Sequence, residues 1–259
     1  MITESRVPAW ARSTLPAALL LLALLAMWQT YVVVFNVKRF ILPAPTEVFA
    51  SLFTKWAIYQ PHAIVTFREA AIGLLLATVV GLILAMLITA SSALRMAIYP
   101  LVVATQAMPV IAIAPLLIIW FGYGPTSKIL VAALVAFFPI VVSAAAGLAS
   151  LDDGAVRLMR SFPCSQWHIF SKARLPHALP QIFSGLKVAA VLSVVGAVVG
   201  EWVGSNEGLG CLIIQSNAKL AIVTVFGSVV VLTLMGIALF LIVTFIEWLS
   251  LPWNRRPQN

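Results

Sequence analysis

The chain has 259 residues, 62% of them hydrophobic and 9% charged, with a formal net charge of +8 and a mean hydropathy of +1.07. An ordinary soluble domain carries roughly 25% charged residues, so this composition excludes a water-soluble globular enzyme and describes an integral membrane protein. The basic residues are scattered between apolar runs and do not gather on a polar module, which excludes a nucleic-acid-binding domain.

Crossing a bilayer as a helix takes about 20 largely apolar residues, and the need to satisfy every backbone group within the lipid excludes open sheets. Six stretches meet the requirement, at about residues 15–35, 63–90, 97–120, 127–149, 182–203 and 221–248. No polar stretch is large enough for a second domain, so residues 1–259 read as a single all-α transmembrane domain. Arg6 and Arg12 ahead of the run 15–27 also fit a signal peptide. The apolar character continues through 31–35 and no small-x-small site follows, so the first span is read as uncleaved.

Between spans one and two, the prolines of 42–46 bar regular helix, and Thr46 is placed to cap a short helix carrying Val48, Phe49, Leu52, Phe53 and Trp56 at helical spacing. Such a helix either lies in the outer interface, with Trp56 at headgroup level, or packs on the other spans as a loop. Span three contains Pro109 and Pro115, span four Pro139, and span five Gly196, Gly200 and Gly204. Bent helices of this kind line a central path or serve packing alone. Pro109, Pro115, Pro139, Gly196 and Gly200 are the candidates for the translocation path.

The long polar interruption is residues 151–180. Asp152 and Asp153 suit a helix N-terminus, with Arg157 and Arg160 toward the other end, and Ala155, Leu158, Met159 and Phe162 fall on one face. Pro163 ends or bends this helix. Ser165 can cap a second short helix bearing Trp167, Ile169 and Phe170, which Pro176 closes by disfavouring helical geometry at Leu175. The pair forms an amphipathic knob that either fits a groove in a partner or rests on its own spans.

Lysine and arginine set the orientation. With the N-terminus inside, ten fall inside (Arg6, Arg12, Arg95, Arg157, Arg160, Lys172, Arg174, Lys187, Arg255 and Arg256) and six outside (Lys38, Arg39, Lys55, Arg68, Lys128 and Lys219), so both termini are expected in the cytoplasm. Cys164 and Cys211 then lie on opposite sides and form no disulfide. Arg68, Glu69 and Glu201 fall near outer span ends and Glu247 near an inner one. No ionisable group is expected at a span midpoint, where an ion-coupled carrier would hold its carboxylate. His62, His168 and His177 have no metal-site spacing, and there is no nucleophile elbow or P-loop. No catalytic, metal or cofactor-binding residue is expected.

Ala173-Arg174-Leu175-Pro176, Ala178-Leu179-Pro180 and Gly185-Leu186-Lys187 resemble the cytoplasmic motif of binding-protein-dependent ABC importer permeases: Glu-Ala-Ala, three residues, Gly, nine residues, Ile, one residue, Leu-Pro. The Leu-Pro matches, whereas Arg157-Leu158-Met159, Pro163 and Ala173 stand at the Glu-Ala-Ala, glycine and isoleucine positions. Phe40-Ile-Leu-Pro-Ala-Pro-Thr-Glu-Val48, Pro109-Val-Ile-Ala-Ile-Ala-Pro-Leu116, Trp120-Phe-Gly-Tyr-Gly124, Phe137-Phe-Pro-Ile140, and Gly200-Glu201 through Gly208-Leu-Gly210 are similar to the permeases for nitrate, sulfonate and taurine and for thiamine precursors, pyrimidines and riboflavin.

That resemblance implies a MetI-like permease fold with six transmembrane helices and cytoplasmic coupling helices, in a bacterial inner membrane. It implies a homodimer docked on cytoplasmic ATP-binding cassette ATPases and fed by an extracytoplasmic solute-binding protein. ATP and magnesium then belong to the ATPase, and the chain is a transport subunit, not an enzyme. Arg157, Leu158, Ser161, Phe162, Pro163, Cys164 and Ser165 are expected to contact that ATPase. The lack of a mid-depth cation points to a neutral pyrimidine-type thiamine precursor or a riboflavin-like compound. Nitrate, sulfonate or taurine is the alternative solute, and an ion-coupled secondary carrier the alternative class.

Overall fold

A computed structural model of the chain describes residues 9–161 and 165–252. Apolar runs that satisfy their own backbone become helices, and every regular element among the described residues is helical. They are α1 (Ala9–Val34), α2 (Pro45–Thr54), α3 (Trp56–Ala90), α4 (Ser92–Ala107), α5 (Val110–Phe121), α6 (Pro125–Ala149), α7 (Asp153–Arg160), α8 (Gln166–Ile169), α9 (Leu175–Gly204), α10 (Leu209–Ala218) and α11 (Ile222–Ser250), with a π turn over Phe170–Arg174 joining α8 to α9. Five helical stretches are long and apolar enough to cross a membrane, and α4 with α5 makes the sixth candidate.

Helix α6 is the centre, packed against α3 on one side and α9 on the other. Small residues allow it. On α3, Gly73, Ala77, Gly81 and Ala85 recur at every fourth position and are buried. On α9, Gly185, Ala189, Gly196 and Gly200 are buried, and α6 answers with buried Ala132, Ala133, Ala136 and Ala144. A methyl group added at Gly196 would lie 2.7 Å from the Ala132 Cα, and one at Gly81 2.9 Å from Cγ2 of Ile140. Helix backbones in lipid approach this closely only where side chains are small.

Three expectations are corrected. Span three is not one helix: α4 and α5 meet at 103° across the break at Met108 and Pro109. Pro109 has no N–H to continue the ladder and keeps Met108 extended (φ −76, ψ 125). Pro176 does not close the second short helix, because Gln166–Gly204 runs on as one helical stretch. The Leu175 N–H reaches back to the Phe170 carbonyl across a widened π turn, which accommodates the proline without a break. Nor does Thr46 cap α2, whose first residue is Pro45 after Ala44 with no side-chain cap. Its N–H and hydroxyl both reach Gln29 Oε1 at 3.3 Å, tying α2 to α1.

The second span also begins earlier than expected, at Trp56, because Pro61 lies in its second turn and removes only one hydrogen bond. Helix α2 buries Val48 and Ser51 and leaves Phe49 and Phe53 exposed. The Tyr59 hydroxyl donates to Ser51 Oγ at 3.2 Å, and Gly227 on α11 leaves room for it. Lys187 on α9 pairs with Glu247 on α11.

Replacing Gly196 with leucine should force α6 and α9 apart and destabilise the protein by about 1–3 kcal/mol or more. Gly236→Ala, where the added methyl meets only an ordinary contact at 3.8 Å, should be silent. Thermal unfolding of the two variants in detergent checks the pair.

Candidate functional site

The spans hold few ionisable groups, and three of them come together at one end of the bundle. Thr66 and Glu69, three residues apart on one face of α3, meet Lys128 from the first turn of α6 and Glu201 from the last turn of α9. All four are buried, Glu69 to 2% and Lys128 to 6% exposure.

The chain folds back to serve Glu201. After Gly204 it turns through Ser205 and reaches Gly208 at φ +98, a left-handed conformation suited to glycine. There α10 begins, and its N-terminus lies at the carboxylate, a favourable place for negative charge. The Gly210 N–H donates to Glu201 Oε2 at 2.6 Å, and the Thr66 hydroxyl donates to Oε1 at 2.6 Å while accepting the Leu209 N–H at 2.8 Å. A side chain at Gly208 would collide with the carboxylate, and one at Gly210 would lie 2.8 Å from it. The glycines are therefore a condition of the hydrogen bonding.

Lys128 is the only cation buried with these carboxylates among the described residues. Its Nζ donates to Ser205 Oγ at 2.7 Å and stands 3.7 Å from Glu69 Oε1, longer than the roughly 2.9 Å of a direct hydrogen bond. Glu69 Oε2 is buried and has no hydrogen-bond partner. Glu69 and Lys128 line a cavity of about 650 Å³, with Arg68, Tyr123, Ser205 and Asn206 among its other walls. Across the bundle, at the far end of α3, a second cavity of about 390 Å³ is lined by Thr89, Ser91, Arg95, Tyr99 and Arg174.

Of the residues expected to couple to an ATPase, Arg157 and Leu158 lie on α7, with Leu158 65% exposed, and Ser161 follows it, donating to the Leu158 carbonyl at 2.6 Å. Ser165 accepts the His168 N–H at 3.2 Å and caps α8. Phe162, Pro163 and Cys164 lie outside the described residues. Ile169 is buried, while Trp167 is exposed and stacks on Phe170, so this segment both rests on its own bundle and presents an apolar surface. Among the path candidates, Pro109 stands at the α4–α5 break and Pro115 within α5. Pro139, Gly196 and Gly200 are in the α6–α9 contact, where the Pro139 carbonyl faces Gly185 and the Lys128 Cα faces Gly200.

The polar cluster is what the sequence reading missed. It placed Glu69, Lys128 and Glu201 near span ends as separate residues, although Glu201 followed by Gly208-Leu-Gly210 carried the signal of a carboxylate capped by a glycine-bounded helix start. Replacing Thr66 with valine keeps the shape, removes both hydrogen bonds and should destabilise the protein by about 1–3 kcal/mol. Thr66→Ser should restore most of it, as measured by thermal unfolding in detergent.

The sequence model of the family described as "Binding-protein-dependent transport system inner membrane component" matches residues 77–255, well over half of the chain. A probable ABC transporter permease protein of Haemophilus influenzae is 39% identical, covering 87% of this chain and 91% of its own length. The formylaminopyrimidine transport permease protein ThiX of Halalkalibacterium halodurans is 33% identical over 93% of this chain and 97% of its own. The riboflavin transport system permease protein RibX of Chloroflexus aurantiacus is 34% identical over 95% and 91%. Permeases named for aliphatic sulfonates and taurine stand at 29% and 27% identity. In fold, the chain is similar to one from the MetNI methionine ABC transporter, with a TM-score of 0.62 at 19% identity over 74% of this chain and 98% of that one. The bent third span, the glycine-packed bundle and these matches agree: the chain belongs to the binding-protein-dependent inner-membrane components, as a multi-pass, MetI-like permease subunit of an ABC importer whose ATP hydrolysis resides in a separate partner.

Proposed function

We propose that this permease passes a neutral, nitrogen-containing heteroaromatic solute of the pyrimidine or thiamine-precursor type, with riboflavin-like compounds as the neighbouring class. The observation that carries the reading is the charge balance of the cavity wall. Its charged lining residues, Arg68 and Lys128 against Glu69 and Glu207, sum to no net charge, which gives an anion such as nitrate or a sulfonate no surplus cation to meet and suits a neutral solute with N–H donors. Relatives named for formylaminopyrimidine and riboflavin, 33% and 34% identical over nearly the whole chain, support it. Taurine, named for a relative at 27% identity, is the competing solute.

In this reading the single membrane domain of residues 1–259 works as a homodimer, with both termini and the 151–180 segment in the cytoplasm and α10 on the opposite face. An extracytoplasmic binding protein delivers the solute. Arg157, Leu158, Ser161, Phe162, Pro163, Cys164 and Ser165 contact the ATPase, which carries ATP and magnesium. Pro109 and Pro115, on the broken span, border the path itself. Pro139, Gly196 and Gly200 shape it from behind by setting how closely α6 and α9 pack. ATP-driven movement of α7 and α8 shifts the permease between two states of the path.

Vesicles holding the complete importer should take up labelled formylaminopyrimidine in an ATP-dependent manner, and excess taurine should not compete. Uptake of taurine in its place would sink the substrate assignment. Replacing Leu158 with aspartate puts a charge on the exposed apolar face of α7. It should lower uptake at least tenfold or release the ATPase on purification, with membrane insertion unchanged. Wild-type uptake and full ATPase retention in that variant would refute the coupling assignment.

A further inference from the structure

The cavity beside the polar cluster has the features of a ligand site. A carboxylate oxygen buried without a hydrogen bond is costly, and Glu69 Oε2 is such an atom, on a residue lining the cavity. Glu201, beside it, has both carboxylate oxygens engaged, by Thr66 and by the Gly210 amide. Glu69 Oε2 is therefore the carboxylate oxygen of the two residues that has no partner. Lys128 Nζ, 3.7 Å from Glu69 Oε1, sets a donor next to that acceptor. Tyr123, whose ring lies over Gly204, adds an aromatic surface at the exposed side of the cavity. An acceptor, a donor and an aromatic face make a site for a flat ring with an exocyclic amine next to a ring nitrogen.

We propose that this cavity is a solute subsite of the permease itself, in which Glu69 accepts the exocyclic N–H of an aminopyrimidine-type molecule, Lys128 donates to its ring nitrogen and the ring stacks on Tyr123. The inference rests on the pyrimidine reading above and goes beyond it by giving this chain a selective contact of its own, separate from selection by a binding protein. Arg68 and Glu207, exposed at the rim, balance each other, so the selective charge is that of the buried groups.

The test uses the purified permease–ATPase complex without binding protein, with formylaminopyrimidine as probe in equilibrium dialysis, and the complete importer in vesicles for uptake. Wild type should bind the probe, and taurine should not displace it. Glu69→Gln should weaken binding at least tenfold and lower the amount of probe moved per ATP hydrolysed, while retaining the ATPase. Glu69→Asp should recover part of the loss. Asn206→Trp, in the exposed loop at the cavity, should block binding by filling the space, and it decides the matter if Glu69→Gln fails to assemble. Unchanged binding in Glu69→Gln, or in Asn206→Trp where the former does not assemble, overturns the subsite. Uptake of the probe by wild type with no binding to the complex also overturns it and leaves the substrate assignment standing. Failure of wild type to take up the probe at all overturns both.

Discussion

In lipid, apolar side chains gain little from leaving one hydrocarbon surface for another, so a bundle is held by close backbone contact and by polar groups that have nowhere else to bond. Here both conditions are concentrated on α6. It lies against Gly73, Gly81, Gly185, Gly196 and Gly200, and its first turn supplies Lys128. The close approach of α3 and α9 to that helix brings Glu69 to the Lys128 ammonium and Glu201 to Thr66. Widen either contact by the thickness of a methyl group, and the Lys128–Glu69 pair and the hydrogen bonds of Glu201 come apart, leaving buried charges disfavoured by desolvation. Packing and electrostatics are one constraint in this protein.

The same constraint explains the return of the chain after α9. Glu201 sits at the C-terminal end of a helix, where the dipole disfavours a carboxylate. The turn at Gly208 compensates by directing the Gly210 amide at the start of α10 toward it. Thr66 joins both, donating to Glu201 and accepting from Leu209. Helix α3 and the α9–α10 turn, distant in sequence, are thereby fixed at one point, and Glu69, one turn along α3 from Thr66, is left beside an open cavity with an unused oxygen.

Much of this was legible in the sequence, for physical reasons. Hydrophobic length identifies spans because the bilayer imposes it, so the stretches read as spans four and six lie within two residues of α6 and α11 at each end. The break in span three was signalled by Pro109, but a proline can kink a helix or end it, and only the backbone at Met108 decides which. Pro176 misled in the opposite direction, since a π turn absorbs a missing N–H that a regular turn would not. The Gly73, Ala77, Gly81 and Ala85 series was readable as a small-residue packing stripe. The pairing of Glu69 with Lys128 and the adjacent Glu201 was not, because it joins residues from three helices and no local period encodes a crossing point.

One consequence concerns how the two ends of the molecule communicate. The second short helix was expected to stop at Leu175, which would have put a loop between the segment assigned to ATPase contact and span five. Instead Gln166–Gly204 is one helical stretch of 39 residues, roughly 58 Å at 1.5 Å per residue. It begins at the Ser165 cap and ends three residues past Glu201. A displacement of α8 has no loop in which to dissipate, only the π turn at Phe170–Arg174, where the ladder is wider and less regular. That turn ends in Arg174, a wall of the cavity at this end, while the far end of the same helix holds a wall of the other. On the proposed docking of the ATPase at α7 and α8, α9 is the element that would carry a force from that face to the charged cluster at the other, and its glycine contacts with α6 would give such a movement only discrete packings to choose between.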